Sequence, residues 1–189
     1  MTTFESERLI FRRFSDADAD AIAAMRSDAE FMRYIKPPET REASLSWMKM
    51  LSRHWETENF GFWAVVLKET GETIGWSGTW ILHETIETEI GFAIAKPFWG
   101  QGFATEAARV ALRYAFENKG ARRVVSVSMP ENAASRRVME KLGMRFEKQR
   151  FFRSYNLDLV YYAMEKEEYA RNPKTQTAKI YFGRFGRAG

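Results

Sequence analysis

The chain contains no cysteine, and that absence removes disulfides, thiolate nucleophiles, zinc ribbons and iron–sulfur clusters together. Histidine is almost as scarce. Only His54 and His83 occur, too few for a multi-histidine centre, so no metal is expected. No apolar run approaches the roughly 20 residues that a membrane helix needs, and no membrane partner is expected. The opening stretch MTTFESERLIFRRF sets acids among its basic residues and reads as neither a signal nor a transit peptide, which makes a cytoplasmic location the expectation. Internal repeats and interdomain linkers are missing too.

What is present fits one ordinary globular domain. The 189 residues are 45% hydrophobic, enough for a substantial core. The net charge of +4 suits an anionic ligand without proving one. Aromatic residues make up 15% and include six tryptophans, so most belong in the core while some are left to line a groove.

Element signals run the length of the chain. RLIFRRF (8–14) alternates as a strand, and Ser15 reads as the N-cap of a helix with Asp16 and Asp18 in its first turn. AEFMRYI continues helically until Pro37 and Pro38 stop it. After Thr40, the spacing of Leu45, Met48, Leu51 and Trp55 predicts a third helix to about Glu58. FGFWAVVLKETGETIGWSGTWIL reads as two strands around ETGE, and TEIGFAIA (88–95) as another. TEAARVALRYAFENKG (105–120) is a helix, RRVVSVSM a short strand, and ENAASRRVMEKLG a helix closed by Gly143. RFEKQRFFRSYNLDLVYYAMEK reads as a terminal hairpin. The domain is expected to span 1–172, with 173–189 a basic, loosely attached or disordered tail.

The stretch FWGQGFATEA (98–107) places a glycine loop between a strand and a helix. The first N–H groups of such a helix can hold phosphate oxygens, and Gly100 and Gly102 let the backbone approach a ligand. A phosphate-binding P-loop is excluded because no Lys-Ser/Thr pair follows the glycines. A dinucleotide fingerprint is disfavoured by Thr105 and by the lack of an acid at the end of the next strand. A purely steric turn stays as open as an anion cradle.

Four separated segments change that balance: SERLIFRRF, the 98–107 loop, NAASRRVMEKLGM (132–144) and DLVYYAMEKEEY. Together they resemble the GNAT N-acetyltransferase superfamily over roughly residues 5–170, in its RimJ/RimL-like, ribosomal-protein N-terminal acetyltransferase branch. The resemblance implies an α/β (α+β) acyl-CoA N-acyltransferase fold, with a mixed, largely antiparallel sheet of about seven strands and about four or five helices. It implies acetyl-CoA as cosubstrate and a primary amine as acceptor. A protein N-terminal α-amine is favoured over a small-molecule amine, and an inert acyl-CoA-binding module is the further alternative. Phe92, Ala93, Ile94, Trp99, Gly100, Gln101, Gly102, Phe103, Ala104, Thr105, Asn132, Ser135 and Arg137 would hold the coenzyme, with the amides of Ala93 and Ile94 on its pantetheine. Trp99 departs from the usual Gln or Arg.

The same resemblance makes Glu89 the candidate general base, with a solvated strand-end carboxylate as the alternative and His83 as a second base candidate. Gly91 reads as a bulge or a close approach to a ligand. Asn132 and Ser135 would stand near the thioester, although Asn132 equally suits an N-cap. Met139 occupies the position where many members carry a tyrosine acid, and it cannot donate a proton. Arg136 and Arg137 are candidates for the 3′-phosphate, and Glu106 reads as structural. Trp47, Trp55, Phe60, Trp63, Trp76, Trp80 and Tyr155 are available for an acceptor groove. The tail's alternation of basic and aromatic residues leaves a weak RNA or ribosome contact open, and a homodimer is a further option.

Overall fold

Cross-strand pairing organises the chain around one sheet. The computed structural model describes residues 2–173 and 181–184. Its strands are β1 (Thr2–Glu5), β2 (Leu9–Arg12), β3 (Phe62–Leu67), β4 (Thr73–Leu82), β5 (Glu87–Ile94), β6 (Arg123–Ser128), β7 (Arg145–Phe152), β8 (Leu157–Glu165) and β9 (Tyr181–Arg184). The α-helices are α1 (Ala19–Ser27), α2 (Ala29–Met32), α3 (Arg41–Glu58), α4 (Phe103–Arg113), α5 (Ala133–Leu142) and α6 (Lys166–Arg171). Spatial order across the sheet is β7-β8-β6-β5-β4-β3-β2-β1-β9. Every pairing is antiparallel except β5 with β6.

The sheet is wider than the patterning predicts, because two four-residue strands extend one edge. β1 pairs with β2, and β9 adds to β1 with Thr2 opposite Arg184. Part of the predicted loose tail is therefore an edge strand, which covers the otherwise unpaired backbone of β1. The expectation of disorder for 174–180 and 185–189 falls outside the described residues. The short helix α6 also exceeds the predicted set, and α2 is shorter than the helical reading of AEFMRYI.

Helix ends follow their local chemistry. Asp18 accepts from the Ser15 backbone N–H (2.7 Å), and Thr40 Oγ1 accepts from the Ala43 N–H (3.2 Å) at the start of α3. Helix α4 continues as a wide π turn over Tyr114–Asn118. Gly143, at φ 87°, closes α5 in the left-handed conformation that a Cβ disfavours.

Alternation along the strands sends side chains to two helical layers. On one face Ile90 and Ile94 pack in a single cluster with Ala107, Ala108, Ala111 and Leu112 of α4 and with Met139 and Leu142 of α5. On the other, Trp76, Ala93 and Phe62 join Ile22, Met25, Phe31, Met32 and Met48 of α1, α2 and α3. A turn at 83–86 links β4 to β5, and there Ile86 stands 82% exposed at φ 56°.

One break in the sheet positions the site. The β5–β6 register ends at Glu89 opposite Val125, while β5 runs on to Ile94 and β6 to Ser128 without pairing. Two parallel strands thus part at their carboxyl ends, and each leads into a helix, α4 or α5. Crevices of this kind are where open α/β sheets take ligands.

Candidate active site

A cavity of about 450 Å³ fills the gap beyond Glu89. Phe92, Ala93 and Ile94 of β5, the loop residues Trp99, Gly100 and Gly102, the first residues of α4 (Phe103, Ala104, Thr105) and Asn132, Ser135 and Arg137 of α5 all line it. The structure therefore brings together every residue expected to hold the coenzyme except Gln101. The Gln101 amide donates instead to the Pro97 carbonyl (2.9 Å).

The start of α4 is open. Its N-cap is Gly102, at φ 86°, which has no side chain to offer and makes no capping hydrogen bond. The first-turn N–H groups keep the partial positive charge of the helix end and face the cavity wall. Glu106 does not spoil this. Its Oε1 accepts from Ser6 Oγ (2.7 Å) and the Arg8 N–H (2.9 Å), and its Oε2 from Arg8 Nε (2.8 Å). Arg8 also donates to the Gln101 carbonyl (3.0 Å) and lies 4.1 Å from the Phe103 ring centroid. The structural reading of Glu106 holds, and Arg8 is a brace that sequence patterning missed.

Ladder geometry corrects one backbone expectation. The Ala95 N–H donates to the Ile74 carbonyl (2.8 Å), and the β4–β5 register runs without a shift. Alternation then commits Ala93 to β4 and turns the backbone of Phe92 and Ile94 toward the gap. Ala93 contributes only its methyl wall, and the backbone edge beside the gap is that of Phe92 and Ile94. The Trp99 indole N–H donates to the Ile94 carbonyl, a use that fits this departure from the family pattern.

Other candidates separate here. Asn132 Oδ1 accepts from the Ser135 N–H (3.1 Å) as the helix cap, and the residue also lines the cavity. Arg136 turns away, donating to the Pro130 carbonyl (3.1 Å), while Arg137 and Lys141 remain on the cavity wall. Met139 is fully buried. Gly91 is not at a bulge: the β4–β5 register runs through it, and a Cβ there would lie 2.7 Å from the Phe62 ring, so the glycine makes room for that side chain.

A second cavity of about 960 Å³ opens on the opposite face of β5. Glu89 lines it, half-buried, with Trp47, Phe62, Trp76, Trp80, Met129 and Tyr155 among the walls. Trp80 is the cross-strand partner of Glu89, and the Phe62 ring stacks on Trp80 at 5.8 Å. Burial raises the Glu89 pKa to about 7, against one stabilising hydrogen bond from the Val127 backbone N–H. The Tyr155 hydroxyl is pushed up by burial and by the Glu89 charge, and stays neutral. Trp55, Phe60 and Trp63 belong to the core instead.

His83 is exposed in the 83–86 turn and lines neither cavity. His54 stacks on Trp80 at 4.1 Å, its pKa lowered by burial. Glu84 and Glu87 are not free solvent carboxylates. Glu84 accepts from the Arg153 N–H and Ser154 Oγ, and Glu87 from Arg123 Nε and the Tyr161 hydroxyl.

The two cavities share a wall, formed by Arg33 and Ile35 of the connection after α2. The ion pair Lys96–Glu30 ties α2 to the turn after β5. No local sequence signal marks this connection beyond the prolines that follow it.

Comparison with known proteins gives the family. Residues 8–145 match the family model for the acetyltransferase (GNAT) domain. The chain is 29% identical to the N-acetyltransferase p20 of Bacillus licheniformis, over 90% of this chain and 99% of that protein. It is 34% identical to the FsC-acetyl coenzyme A-N(2)-transacetylase of Aspergillus fumigatus, over 67% of this chain and 59% of that protein. A GNAT-family acetyltransferase from Bacillus anthracis superposes with a TM-score of 0.76 at 29% identity, covering 88% of this chain and 99% of that one. The ribosomal-protein-S5-alanine acetyltransferase of Vibrio fischeri shares the fold, with a TM-score of 0.71 at 19% identity over 88% of this chain and 97% of that one.

Proposed function

The chain belongs to the GNAT acetyltransferase family and is an N-acetyltransferase, and on that footing we propose how its residues divide the reaction. The coenzyme lies in the smaller cavity, its pyrophosphate on the open first turn of α4 and its pantetheine along Phe92 and Ile94. Arg137 and Lys141 supply positive charge on the same wall. When bound, acetyl-CoA supplies the thioester that donates the acetyl group. The acceptor amine enters the larger cavity and gives up a proton to Glu89. Its nitrogen then attacks the thioester carbonyl carbon, forming the amide bond as the carbon–sulfur bond breaks and the thiolate leaves.

One observation supports this reading above the others. A single strand, β5, carries Glu89 into one cavity and turns its free backbone edge to the other. A carboxylate titrating at about 7 exists in both forms near neutrality, as a base that must accept a proton from an ammonium requires. With Met139 buried, no tyrosine acid stands at the family position, and the departing thiolate takes its proton from solvent or from the acceptor.

The favoured acceptor is a protein N-terminal α-amine, in line with the RimJ/RimL-like segments, ahead of a small-molecule amine. The test is release of free coenzyme A by purified protein given acetyl-CoA and a panel of amines and N-terminal peptides. Turnover with peptides is expected. Coenzyme binding without release for any amine would leave an inert acyl-CoA-binding module.

A further inference from the structure

The larger cavity is chemically lopsided, and the asymmetry bears on what the acceptor carries besides its amine. Its acidic wall residue is Glu89. Its cations are Arg26 of α1 and Arg33 and Lys36 of the connection between α2 and α3. Arg26 and Lys36 share one carboxylate, Glu39, which both contact. Among the described residues Arg33 has no carboxylate partner, and its guanidinium rests 5.3 Å from the Tyr34 ring centroid. Three cations thus meet one anion, leaving an excess of positive charge on that wall.

Glu89 lies opposite Trp80 on the sheet, on the aromatic side of the cavity. A guanidinium or ammonium close by would hold its carboxylate down, whereas burial and the Val127 N–H are what act on it. Between the two charged regions the walls are apolar. The Arg26 guanidinium lies 4.0 Å from the Trp47 ring centroid, Trp47 meets Trp76 edge-to-face at 5.0 Å, and Phe62 stacks on Trp80. The cavity therefore has a proton-accepting region, an aromatic middle and an anion-seeking rim.

Resting on the acetyltransferase reading of this site, we infer that the acceptor is a primary amine on an apolar or aromatic body that also bears a carboxylate, which Arg33 and Lys36 receive. A polyamine is the wrong ligand: its second cation would face the positive rim, and no second carboxylate of the cavity wall would offset it. Arg33 also borders the coenzyme cavity, so an anion it meets could belong to the coenzyme. Lys36 borders the acceptor cavity alone and separates the two cases.

The experiment compares alanyl-phenylalanine with its C-terminal amide at saturating acetyl-CoA. A second pair is a longer peptide amide with Asp or Asn at its third position, and spermidine is the polycation control. The carboxylate form of at least one pair is expected to lead by about tenfold in kcat/KM, mainly through KM, as a charge-assisted contact provides. In Lys36→Gln that lead should shrink to about twofold, reflecting the lost contact. A preference confined to the dipeptide points to a small carboxylated amine, and one confined to the Asp peptide points to a protein N-terminus. Equal use of acid and amide in both pairs, or spermidine as the best acceptor, overturns the inference. If no amine releases coenzyme A, the acetyltransfer reading has failed. The inference is then judged by calorimetry of the two dipeptides against protein saturated with coenzyme A, and equal affinities overturn it.

Discussion

Arg8 and Glu106, 98 positions apart in sequence, meet through two nitrogens on one oxygen: Nε and Nη2 of the arginine each lie 2.8 Å from Oε2. The contact joins the β1–β2 connection to the first turn of α4 and holds the Gln101 carbonyl in place.

Arg8→Gln should therefore loosen the loop without touching Glu89. A loss of about 1 kcal/mol in positioning corresponds to about a fivefold rise in KM for acetyl-CoA. Glu106→Ala strips an acceptor from Ser6 and from Arg8 together, and should cost about 2 kcal/mol in urea unfolding. Steady-state kinetics and equilibrium unfolding of the two variants check both values.

Glu89→Gln should lower kcat by about 10²–10³, the range of a lost general base. In the wild type, kcat/KM should rise with pH through about 7, and the variant should lack that limb. Stability carries the opposite sign. The folded-state pKa of Glu89 lies above the unfolded value of 4.5, so its favourable protonation is present below 4.5 and lost as pH rises through about 7. Glu89→Gln should accordingly melt higher than the wild type at pH 8, and the gap should close at pH 5. Thermal melts at the two pH values measure it.

Gly91→Ala should push the Phe62 ring out of the space it occupies, since the new methyl would sit 2.7 Å from it. Overpacking of this kind costs about 1–3 kcal/mol. Adding Phe62→Ala should recover part of that loss, a coupling visible in a double-mutant cycle. Because Phe62 also stacks on Trp80 in the acceptor cavity, KM for the amine should rise in both single variants.

Ile86→Gly should stabilise the fold. A β-branched residue at φ 56° is strained, and at 82% exposure its side chain returns little from burial. Relief of about 1 kcal/mol is expected from such a position, read as a higher melting temperature with acetylation unaltered.

Much of this site was legible because its parts are local. The glycine loop, the small residues after it and the α5 cap with Asn132 and Gly143 each declare themselves within about a dozen residues. The resemblance then linked segments that local patterning leaves separate. What stayed hidden is long-range. Nothing near Arg8 announces a partner at Glu106, and nothing near Gly91 reveals that the ring it admits is Phe62. The resemblance gave the Ala93 amide to the ligand, and the sequence could not show that it faces β4; only the Ala95–Ile74 hydrogen bond sets the phase. The edge strands β1 and β9 are four residues each, too short for periodicity to separate from a loop. Asn132 carried both readings, cap and ligand contact, and its hydrogen bond to Ser135 shows the cap while its place on the cavity wall leaves the contact to be tested.

The partition made by Arg33 and Ile35 is thin and common to both chambers. A side chain that swings toward one occupant vacates space beside the other, so the two guests are not independent tenants. On the proposed assignment of the two chambers, a change made there to refine the choice of amine also alters a wall of the coenzyme's chamber.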